Sequence, residues 1–570
     1  MFGILQRMRC LRIAVMAAVL ANPAQSQAPS QPSNLPVQVE WSNVARVIAF
    51  ADVHGAFAEL QGLLRDAGIV DGQDRWAAGS AHVVSLGDLL DRGAGSRRVM
   101  DLLIRLQDEA MAAGGRLHVL VGNHEAMNLM GDLRYVDKDE FAAYADLESP
   151  EQRSEALADW EKKPCTGDCP SFESKFPPGY FGHQAAFLPR GRYGSWLLGL
   201  PVAVKINETL FMHAGPSSLV RGMSLPELNL RYRTSLVQSL GNPDSTQALL
   251  TQDGPNWYRG PALCSELTEA DVLYPLLQQF GARRLVIGHT PTRDSRVVTR
   301  FDGRVVKLDT GMNRAVYKGR AAALFIEADG LKVRYAAEAQ TATPGAEALY
   351  VAPDGLSDAE VLSALRAGTA TLGRTLAPGS FEVTLEHAGW RVPAVFVTAD
   401  APDARREEAA YRLDRALRLG IVPVTVQRVI QGRAGFLQAR PARWFTQKQL
   451  QENPVQGSGW CSPAGQFQLI YALDTLAGNS ERTASSIVLD ADQWNFLATS
   501  FAAAFGTDRG LPRYLRSKPP EPGPELRRRL ALLDESLLSA ALGELIDSAG
   551  RRAILKRRDL LLEQPAAAVR

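Results

Sequence analysis

Short apolar runs that lead into polar clusters recur along the first half of the chain. Runs of this length ending in Gly and polar residues are typical of buried strands, and they are Val47–Ala49, Val83–Leu86, Val119–Val121, Leu210–Met212 and Leu285–Ile287. Between the first two runs, apolar residues recur at helical spacing over Phe57–Ala67, and Val99–Leu106 repeats that spacing. The order strand, loop, helix, strand predicts an α/β fold.

The polar clusters after these runs hold side chains suited to catalysis. Ligands of α/β sheets bind at the loops beyond the strand ends, so we expect the clusters to meet at one edge. They are Asp52–Gly55, Gly87–Gly93, Gly122–Glu125, His213–Gly215 and Gly288–Thr290. Because the clusters contain four of the eight histidines in the chain, coincidence is a poor explanation for them.

The pattern changes after residue 337, where a segment rich in Thr, Pro and Gly predicts a linker. Beyond it, Phe381–Leu385 and Ala394–Thr398 predict a strand pair, and Glu407–Leu419 predicts a helix. Leucines between positions 530 and 545 predict one last helix after a Pro-rich break. We expect a leader over 1–28, linkers over 29–43 and 338–372, and domains over 44–337 and 373–570.

The N-terminus has the features of a secretory signal peptide. Three arginines precede the nine-residue apolar run Ile13–Ala21, and small and polar residues follow it. A membrane-spanning helix needs about 20 residues, so we expect no transmembrane span in the mature chain, although an uncleaved anchor is the alternative. Export predicts a periplasmic or secreted protein, in which Cys165 and Cys169 form a local disulfide rather than half of a zinc site.

Composition and charge narrow the class of protein. The chain has 570 residues, of which 46% are hydrophobic and 22% charged, as expected for a globular protein rather than a disordered one. Lys and Arg number 63 against 62 Asp and Glu, a formal net charge of +1. Nucleic-acid binders usually carry a strong basic excess, so we expect no nucleic-acid partner.

The residue types in the clusters predict a site for two metal ions. Two divalent cations about 3.5–4 Å apart need an anionic bridge and several N or O ligands. Asp88 is the natural bridge, with Asp52 and His54 on one ion and a second group on the other, namely Asn123, His213 and His289. This mixture of imidazole, carboxylate and amide groups suits Mn, Fe or Zn.

Four further residues are candidates for the chemistry on phosphate. His124 is placed to protonate a leaving oxygen, and Asp91 to orient its ring. Arg92 offers a planar fork to phosphate oxygens. Arg259 is the best candidate for a second arginine, and the alternative is a surface arginine beside a buried Trp257.

These motifs resemble those of the calcineurin-like metallophosphoesterases, in the phosphoprotein phosphatase branch. Asp-x-His-Gly, Gly-Asp-x-x-Asp-Arg-Gly and Gly-Asn-His-Glu carry the likeness, and Gly131–Val136 extends it towards the Shewanella-like bacterial type. The resemblance covers roughly 44–335. It implies a four-layer sandwich of two β-sheets flanked by helices, and hydrolysis of a phosphate monoester by a metal-bridging hydroxide.

The resemblance leaves the substrate open. Relatives act on phosphoserine or phosphothreonine, on phosphotyrosine, or on dinucleoside polyphosphates, and we expect a phosphorylated protein, peptide or small phosphoester here. A nucleotide phosphohydrolase and a phospho-ligand or envelope-binding protein are the alternatives. The segment Asp309–Gly311 either lines the pocket or forms an ordinary turn after a strand.

The second half resembles atypical kinases related to the phosphoinositide-kinase-like and secretory kinases. This resemblance implies an α+β kinase-like domain. The resemblance places Val397 at the nucleotide lysine, Glu481 at the catalytic Asp, and Ser486 and Thr499 at the magnesium ligands. Phosphoryl transfer needs Lys, Asp and Asn at these places. We therefore expect a pseudokinase module with an unknown partner, and an unrelated α/β domain is the alternative. The basic run Arg551–Arg558 predicts a solvated helix face.

Overall fold

The computed structural model describes residues 38–162, 170–347, 356–454, 460–491 and 494–565, which belong to one compact unit. The expected signal peptide and the expected Cys165–Cys169 disulfide lie outside the described residues. Among the described residues, no helix has both the length and the apolar character needed to cross a bilayer.

The first region alternates strands and helices, as the apolar pattern predicts. Its strands are β1 (Glu40–Trp41), β2 (Val47–Phe50), β3 (His82–Ser85), β4 (Arg116–Val119), β5 (Ala203–Ile206), β6 (Thr209–Met212), β7 (Arg284–Ile287), β8 (Val298–Arg300), β9 (Val305–Lys307), β10 (Ala322–Glu327), β11 (Gly330–Tyr335) and β12 (Gly345–Ala346). Its α-helices are α1 (Phe57–Asp66), α2 (Ser96–Ala112), α3 (Asn123–Met130), α4 (Lys138–Ala142), α5 (Pro150–Glu161), α6 (Phe172–Lys175), α7 (Tyr180–Phe187), α8 (Arg192–Gly199), α9 (Leu225–Gln238), α10 (Gly260–Leu263), α11 (Glu266–Gln279) and α12 (Arg314–Tyr317).

Within the described residues these strands form two sheets. One has the strand order β11-β10-β2-β3-β4, and the other has β1-β5-β6-β7-β9-β8-β12. The pairs β2–β3, β3–β4, β6–β7 and β7–β9 are parallel, so their carboxyl ends share an edge within each sheet. The loops after β2, β3, β4, β6 and β7 are the polar clusters predicted from the sequence.

Alternate side chains along a strand enter two different cores, one between the two sheets and one between a sheet and the helices that cover it. Val47 and Ala49 of β2 pack between the sheets with Val286 of β7, whereas Ile48 and Phe50 join the core beneath the helices. Period-two alternation sends neighbouring residues to opposite faces of a sheet, and apolar residues fill both faces of β2. The result is the expected four-layer sandwich, two β-sheets flanked by helices, which confirms the predicted fold class.

The second region is an α+β arrangement. Its strands are β13 (Thr369–Ala377), β14 (Ser380–His387), β15 (Trp390–Thr398), β16 (Thr425–Ile430), β17 (Arg433–Ala439), β18 (Trp444–Thr446), β19 (Ile487–Asp490) and β20 (Asn495–Ala498). Its α-helices are α13 (Asp358–Ala367), α14 (Ala401–Leu417), α15 (Gln447–Glu452), α16 (Pro463–Ala477), α17 (Pro524–Ala531), α18 (Glu535–Leu542) and α19 (Ser548–Glu563). In the described part, one sheet has the order β13-β14-β15-β17-β16 and the other β18-β19-β20.

The segment expected to be a linker, 338–372, contains regular structure. Helix α13 begins at a capping box in which Ser357 and Glu360 exchange hydrogen bonds, and Val361 and Leu365 enter the core of the second region. Gly345–Ala346 pairs with β8, and Glu40–Trp41, inside the expected 29–43 linker, pairs with β5. Short elements of this kind give too weak a periodic signal to detect.

The single last helix expected around Leu530–Leu545 is wrong. The structure has parts of two helices there, α17 and α18, and a third helix, α19, begins at Ser548. Asp534 interrupts the run because it accepts a hydrogen bond from the backbone of α18 as its N-cap, and Asp547 does the same for α19. On α19, Arg557 is buried and donates to the carbonyl oxygen of Leu476, so the basic run is not wholly a solvated face.

Candidate metal centre and active site

The structure brings all the candidate residues of the first region to one place. Asp52 and His54 follow β2, Asp88, Asp91 and Arg92 follow β3, Asn123 and His124 open α3 after β4, and His213 and His289 follow β6 and β7. The side chains of the proposed metal ligands are buried, and His213 is fully inaccessible. The sequence spacing alone cannot place His289 beside Asp52, but a hydrogen bond joins them.

The backbone of these loops is strained where the functional side chains stand. His54, Asp88, Asp91, Arg92 and His289 all have φ between 47° and 70°, in the left-handed region. Residues other than Gly rarely adopt this region, and such residues concentrate at functional sites. The surrounding sandwich therefore holds these five side chains in directions that a relaxed loop would not give them.

Two glycines allow the backbone to approach the buried carboxylates. A Cβ atom on Gly122 would lie 2.2 Å from Oδ1 of Asp88, and one on Gly288 would lie 2.3 Å from Oδ1 of Asp52. Neither position could carry a larger residue without moving the carboxylate. The glycines of the motifs are thus explained by close approach.

Asp88 lies at the centre of the site. Its Oδ2 is 3.3 Å from Nε2 of His213, 3.7 Å from Nε2 of His54 and 3.9 Å from Nε2 of His124. Two groups of potential ligands share this carboxylate: His54 with His124, and His213 with His289. A carboxylate shared by two ligand groups is what a bridge between two cations requires.

The hydrogen bonds of the imidazole rings fit metal ligation. Nδ1 of His54 lies 3.0 Å from the carbonyl oxygen of Leu90, and Nδ1 of His213 lies 2.8 Å from that of Leu86. Each Nδ1 therefore donates its proton to the backbone, which leaves Nε2 as the ring atom that faces Asp88 and could bind a cation. A backbone carbonyl that fixes the ring in this way is the usual outer partner of a metal-binding histidine.

Potential ligand atoms of three side chains converge on the same place. Nε2 of His213 lies 3.0 Å from Oδ1 of Asn123 and 3.1 Å from Nδ1 of His289, and Nε2 of His289 is buried without a hydrogen-bond partner among the described residues. Imidazole nitrogens and an amide oxygen this close together can all ligate one cation. The residues present therefore fit two metal ions.

The pKa shifts of the buried side chains also indicate a site that attracts cations. Burial and the nearby Asp309 raise the pKa of Asp52 well above its usual value. Although burial opposes the effect, Asp88 and Asp52 raise the pKa of His213 to about 9. Three buried carboxylates so close together attract cations. Asp309 belongs to this site, and its Oδ1 also accepts from the backbone N–H of Gly311, so the pocket and turn interpretations both describe it.

His124 and Asp91 form a buried pair. Nδ1 of the ring lies 2.5 Å from Oδ2 of Asp91, and Asn128 donates to the other carboxylate oxygen at 3.0 Å. Burial lowers the pKa of His124, but Asp88 and Asp91 outweigh it and raise the pKa above its ordinary value. The arrangement favours a protonated ring whose Nε2 faces the site.

Both candidate arginines lie at the site. The guanidinium of Arg92 stands between the rings of Tyr135 and Tyr317, 5.0 and 5.5 Å from their centroids. Its Nε is buried and has no acceptor among the described residues. Nη1 of Arg259 donates to the carbonyl oxygen of His289 and to Oγ1 of Thr290, both at 2.8 Å. These contacts favour the functional interpretation of Arg259 over a surface arginine.

Sequence reasoning missed several supporting residues. The carboxylate of Glu125 accepts from the backbone N–H groups of Asp88, Leu89 and Gly122, and its place directly after Asn-His in the motif could have indicated it. Tyr135 lies in the segment Gly131–Val136 that carries the resemblance, but the sequence indicated no role for it or for Tyr317 beside Arg92. Nor did it indicate Trp460 of the second region, whose ring centroid lies 5.6 Å from Cζ of Arg259.

In the second region, Arg482 contacts the two residues, Ser486 and Thr499, that the kinase resemblance predicts at the magnesium-ligand positions. Nη1 of Arg482 donates to Ser486 and to the carbonyl oxygen of Thr499, and its other nitrogens hold Asp474 at 2.6 and 2.8 Å. Glu481 is exposed and lies outside this network. Val397 lies within β15. The buried guanidinium thus supplies the positive charge between these residues.

Comparisons with known proteins point to one family. The family model of the calcineurin-like phosphoesterases matches residues 45–293 of the sequence. The chain is 32% identical over 305 residues to an uncharacterized protein of Schizosaccharomyces pombe, covering 52% of this chain and 81% of that one. It is 25% identical over 307 residues to Shewanella-like protein phosphatase 1 of Plasmodium berghei, covering 52% and 74%. A solved cold-active protein-tyrosine phosphatase of a Shewanella species is 29% identical, with a TM-score of 0.42, covering 54% of this chain and 82% of that one.

Proposed function

The chain belongs to the calcineurin-like phosphoesterase family, and on that premise we propose that it hydrolyses phosphate monoesters of proteins or peptides at a dinuclear metal centre. It is a metal-dependent phosphatase. The observation that supports the dinuclear centre best is the carboxylate of Asp88, which faces the Nε2 atoms of both His54 and His213. Asp52 and His54 would hold one ion, while Asn123, His213 and His289 would hold the other.

The donor set is imidazole, carboxylate and amide oxygen, which suits Mn, Fe or Zn. When bound, such ions lower the pKa of water and neutralise the charge of the phosphate. The protein contributes the remaining groups. Arg92 and Arg259 donate to phosphate oxygens, and the left-handed backbone holds the ligands in place before substrate arrives.

His124 supplies the proton that the leaving oxygen needs. Its Nδ1 proton is held by Asp91, so its Nε2 is the atom that can donate into the site. Asn128 fixes the second oxygen of Asp91, which keeps the carboxylate from turning away. The ring can then be protonated again by solvent after each turnover.

A phosphorylated protein side chain is the substrate class that we favour. The Plasmodium berghei relative is described as a protein phosphatase, and the solved structure as a protein-tyrosine phosphatase. The aromatic rings of Tyr135 and Tyr317 beside Arg92 suit an organic group attached to the phosphate. We further propose that the protein is periplasmic or secreted, supported by the leader-like N-terminus and by a disulfide between Cys264 and Cys461.

For the second region we propose a pseudokinase module used for binding. The support is Arg482, which fills the place where a kinase would hold magnesium. Incorporation of labelled phosphate into any substrate that depends on residues 373–570 would contradict this proposal. Binding of a nucleotide without phosphoryl transfer would be consistent with it.

The decisive experiment measures hydrolysis by the full chain loaded with manganese. The substrates are p-nitrophenyl phosphate, phosphotyrosine, phosphoserine and phosphothreonine peptides, and a dinucleoside polyphosphate, each with and without a chelator. We expect metal-dependent turnover of the aryl ester and of at least one phosphopeptide, abolished by Asp88→Asn. Asp101→Asn is the matched control, since Asp101 lies on α2 and binds Arg192 and Tyr193 instead.

Two results would overturn the proposal. Turnover of the dinucleotide alone would make the protein a nucleotide phosphohydrolase. Absence of any metal-dependent turnover, with two equivalents of metal bound, would favour a phospho-ligand-binding protein.

A further inference from the structure

We propose that Trp460 of the second region is a positioning residue of the phosphatase site, which orients Arg259 for phosphate and so makes the second region part of that site. This inference rests on the proposed function, since Arg259 is taken to bind phosphate. It concerns a residue roughly 200 positions away in the chain, outside the stretch that the family model covers.

The contact itself is a cation on an aromatic face. Cζ of Arg259 lies 5.6 Å from the centroid of the Trp460 ring, within the range in which the ring attracts a guanidinium. Both hydrogen bonds of Arg259 use Nη1, which is bound to His289 and Thr290. Its Nε and Nη2 have no hydrogen-bond partner within the described part of the chain. Trp460 and the two acceptors thus fix the plane of the guanidinium and leave two donors for a phosphate.

A covalent link holds Trp460 in place. The next residue, Cys461, forms a disulfide with Cys264, and their Cα atoms are 5.2 Å apart. Cys264 directly follows α10, the short helix that begins just after Arg259. The bridge therefore joins the residue beside Trp460 to the element beside Arg259, and a shift of one side chain relative to the other is restricted.

The surrounding packing is also tight. Ser462 caps α16 by accepting from the backbone N–H of Gly465, so Trp460 stands at the start of a long helix. A Cβ atom on Gly465 would lie 3.2 Å from Cγ2 of Thr268 on α11. The first turn of α16 is thus packed directly against the first region, next to the bridge.

The same residues border a cavity between the regions. It has a volume of about 480 Å³ and is lined by residues of both, among them Ser217, Tyr258, Trp460 and Ser462. Ser217 lies four positions after the metal-ligand candidate His213. Trp460 therefore both contacts Arg259 and lines this cavity, in which the group that carries the phosphate could lie.

The test compares Trp460→Ala and Trp460→Phe in the full, manganese-loaded chain. The measurements are kcat and KM for p-nitrophenyl phosphate and the Kd of inorganic phosphate by calorimetry. A lost cation–aromatic contact corresponds to roughly a 2- to 30-fold weakening. We expect Trp460→Ala to raise KM and the phosphate Kd by that factor with kcat changed less than about twofold, and Trp460→Phe to restore most of the loss.

The matched control is Trp390→Ala, because Trp390 lies on β15 and is 43% exposed. We expect this variant to match the unaltered protein in phosphate Kd and KM. Metal content and melting temperature are measured for every variant, so a folding defect is recognised. If Trp460→Ala binds phosphate as tightly as the control, or if the unaltered protein binds no phosphate, the inference is wrong. Phosphate binding that depends on Trp460 without turnover would contradict the proposed function, while the role of Trp460 in orienting Arg259 for phosphate would be supported.

Discussion

Replacing Asp91 by Asn should weaken acid catalysis in a way that depends on the leaving group. The side chains of His124 and Asp91 are 4% and 1% exposed, and their hydrogen bond is 2.5 Å long. Asn keeps the size and an acceptor oxygen but removes the charge. A phosphate ester with a poor leaving group needs the proton of His124, whereas an activated aryl ester needs it far less.

The size of the effect follows from the loss of charge. Hydrogen bonds to charged groups contribute about 1.5–3 kcal/mol and neutral ones about 0.5–1.5 kcal/mol. The substitution should therefore remove roughly 1–2 kcal/mol of stabilisation of the charged ring, which is about 5- to 30-fold in rate. The new amide also faces the donor of Asn128, but that conflict is present with and without substrate, so it should lower stability rather than kcat.

The assay is a series of phenyl phosphates whose leaving phenols differ in acidity, measured with a phosphopeptide for comparison. For Asp91→Asn we expect the full loss of rate with the phosphopeptide and with phosphate esters of unactivated phenols. We expect little loss of rate with nitrophenyl phosphate. Metal content should match that of the unaltered protein, and Asp101→Asn should behave normally. A loss that is equal for every leaving group, or a parallel loss of metal, would refute the assignment of His124 as the acid.

Three further predictions concern stability. Glu125→Ala leaves three buried backbone N–H groups without an acceptor, so the free energy of unfolding in urea should fall by about 3 kcal/mol or more, and an unchanged midpoint would count against the role of Glu125. Cys264→Ala with Cys461→Ala should lower the free energy of unfolding by about 2–5 kcal/mol, and a reducing agent should lower that of the unaltered protein more than that of the double variant. Burial raises the pKa of Glu407 from 4.5 to about 7. Its stabilising effect is therefore complete below pH 4.5 and is lost as the pH rises to about 7. The free energy of unfolding of Glu407→Gln should depend less on pH between 4.5 and 7 than that of the unaltered protein. Urea unfolding measured across this pH range would test the prediction.

The sequence predicted the first region well because its signals are local. A strand of the sandwich is an apolar run, and the ligands of the site follow such runs directly, so Asp52 and Asp88 could be placed at strand ends without a structure. The meeting of these ends follows from the parallel pairing of β2 with β3 and of β6 with β7. What spacing could not give is the left-handed backbone at the ligands, since that depends on the whole loop.

The second region was harder to predict because its elements are short or interrupted. Helix α13 is ten residues long and lies in a stretch expected to be a linker. The leucines from 530 onward suggested one helix, since leucine spacing does not register the caps of α18 and α19. The sequence could indicate which residue types stand at 397, 481, 486 and 499, but the ion pair of Arg482 with Asp474 depends on tertiary contacts that no local pattern reveals.

The association of the two regions shows why the contact of Trp460 with Arg259 is a fixed feature. Asp271 on α11 accepts from the backbone N–H of Glu525 at the start of α17, so a helix of the second region is capped by the first. A Cβ atom on Gly523 would lie 1.9 Å from the carboxylate of Asp271, which leaves no room for a side chain there. The interface is therefore anchored at α17 as well as at the disulfide, and both anchors lie on or next to α11. Because α11 follows Arg259 closely in the chain, the second region is held against the segment that carries this arginine rather than against a remote surface.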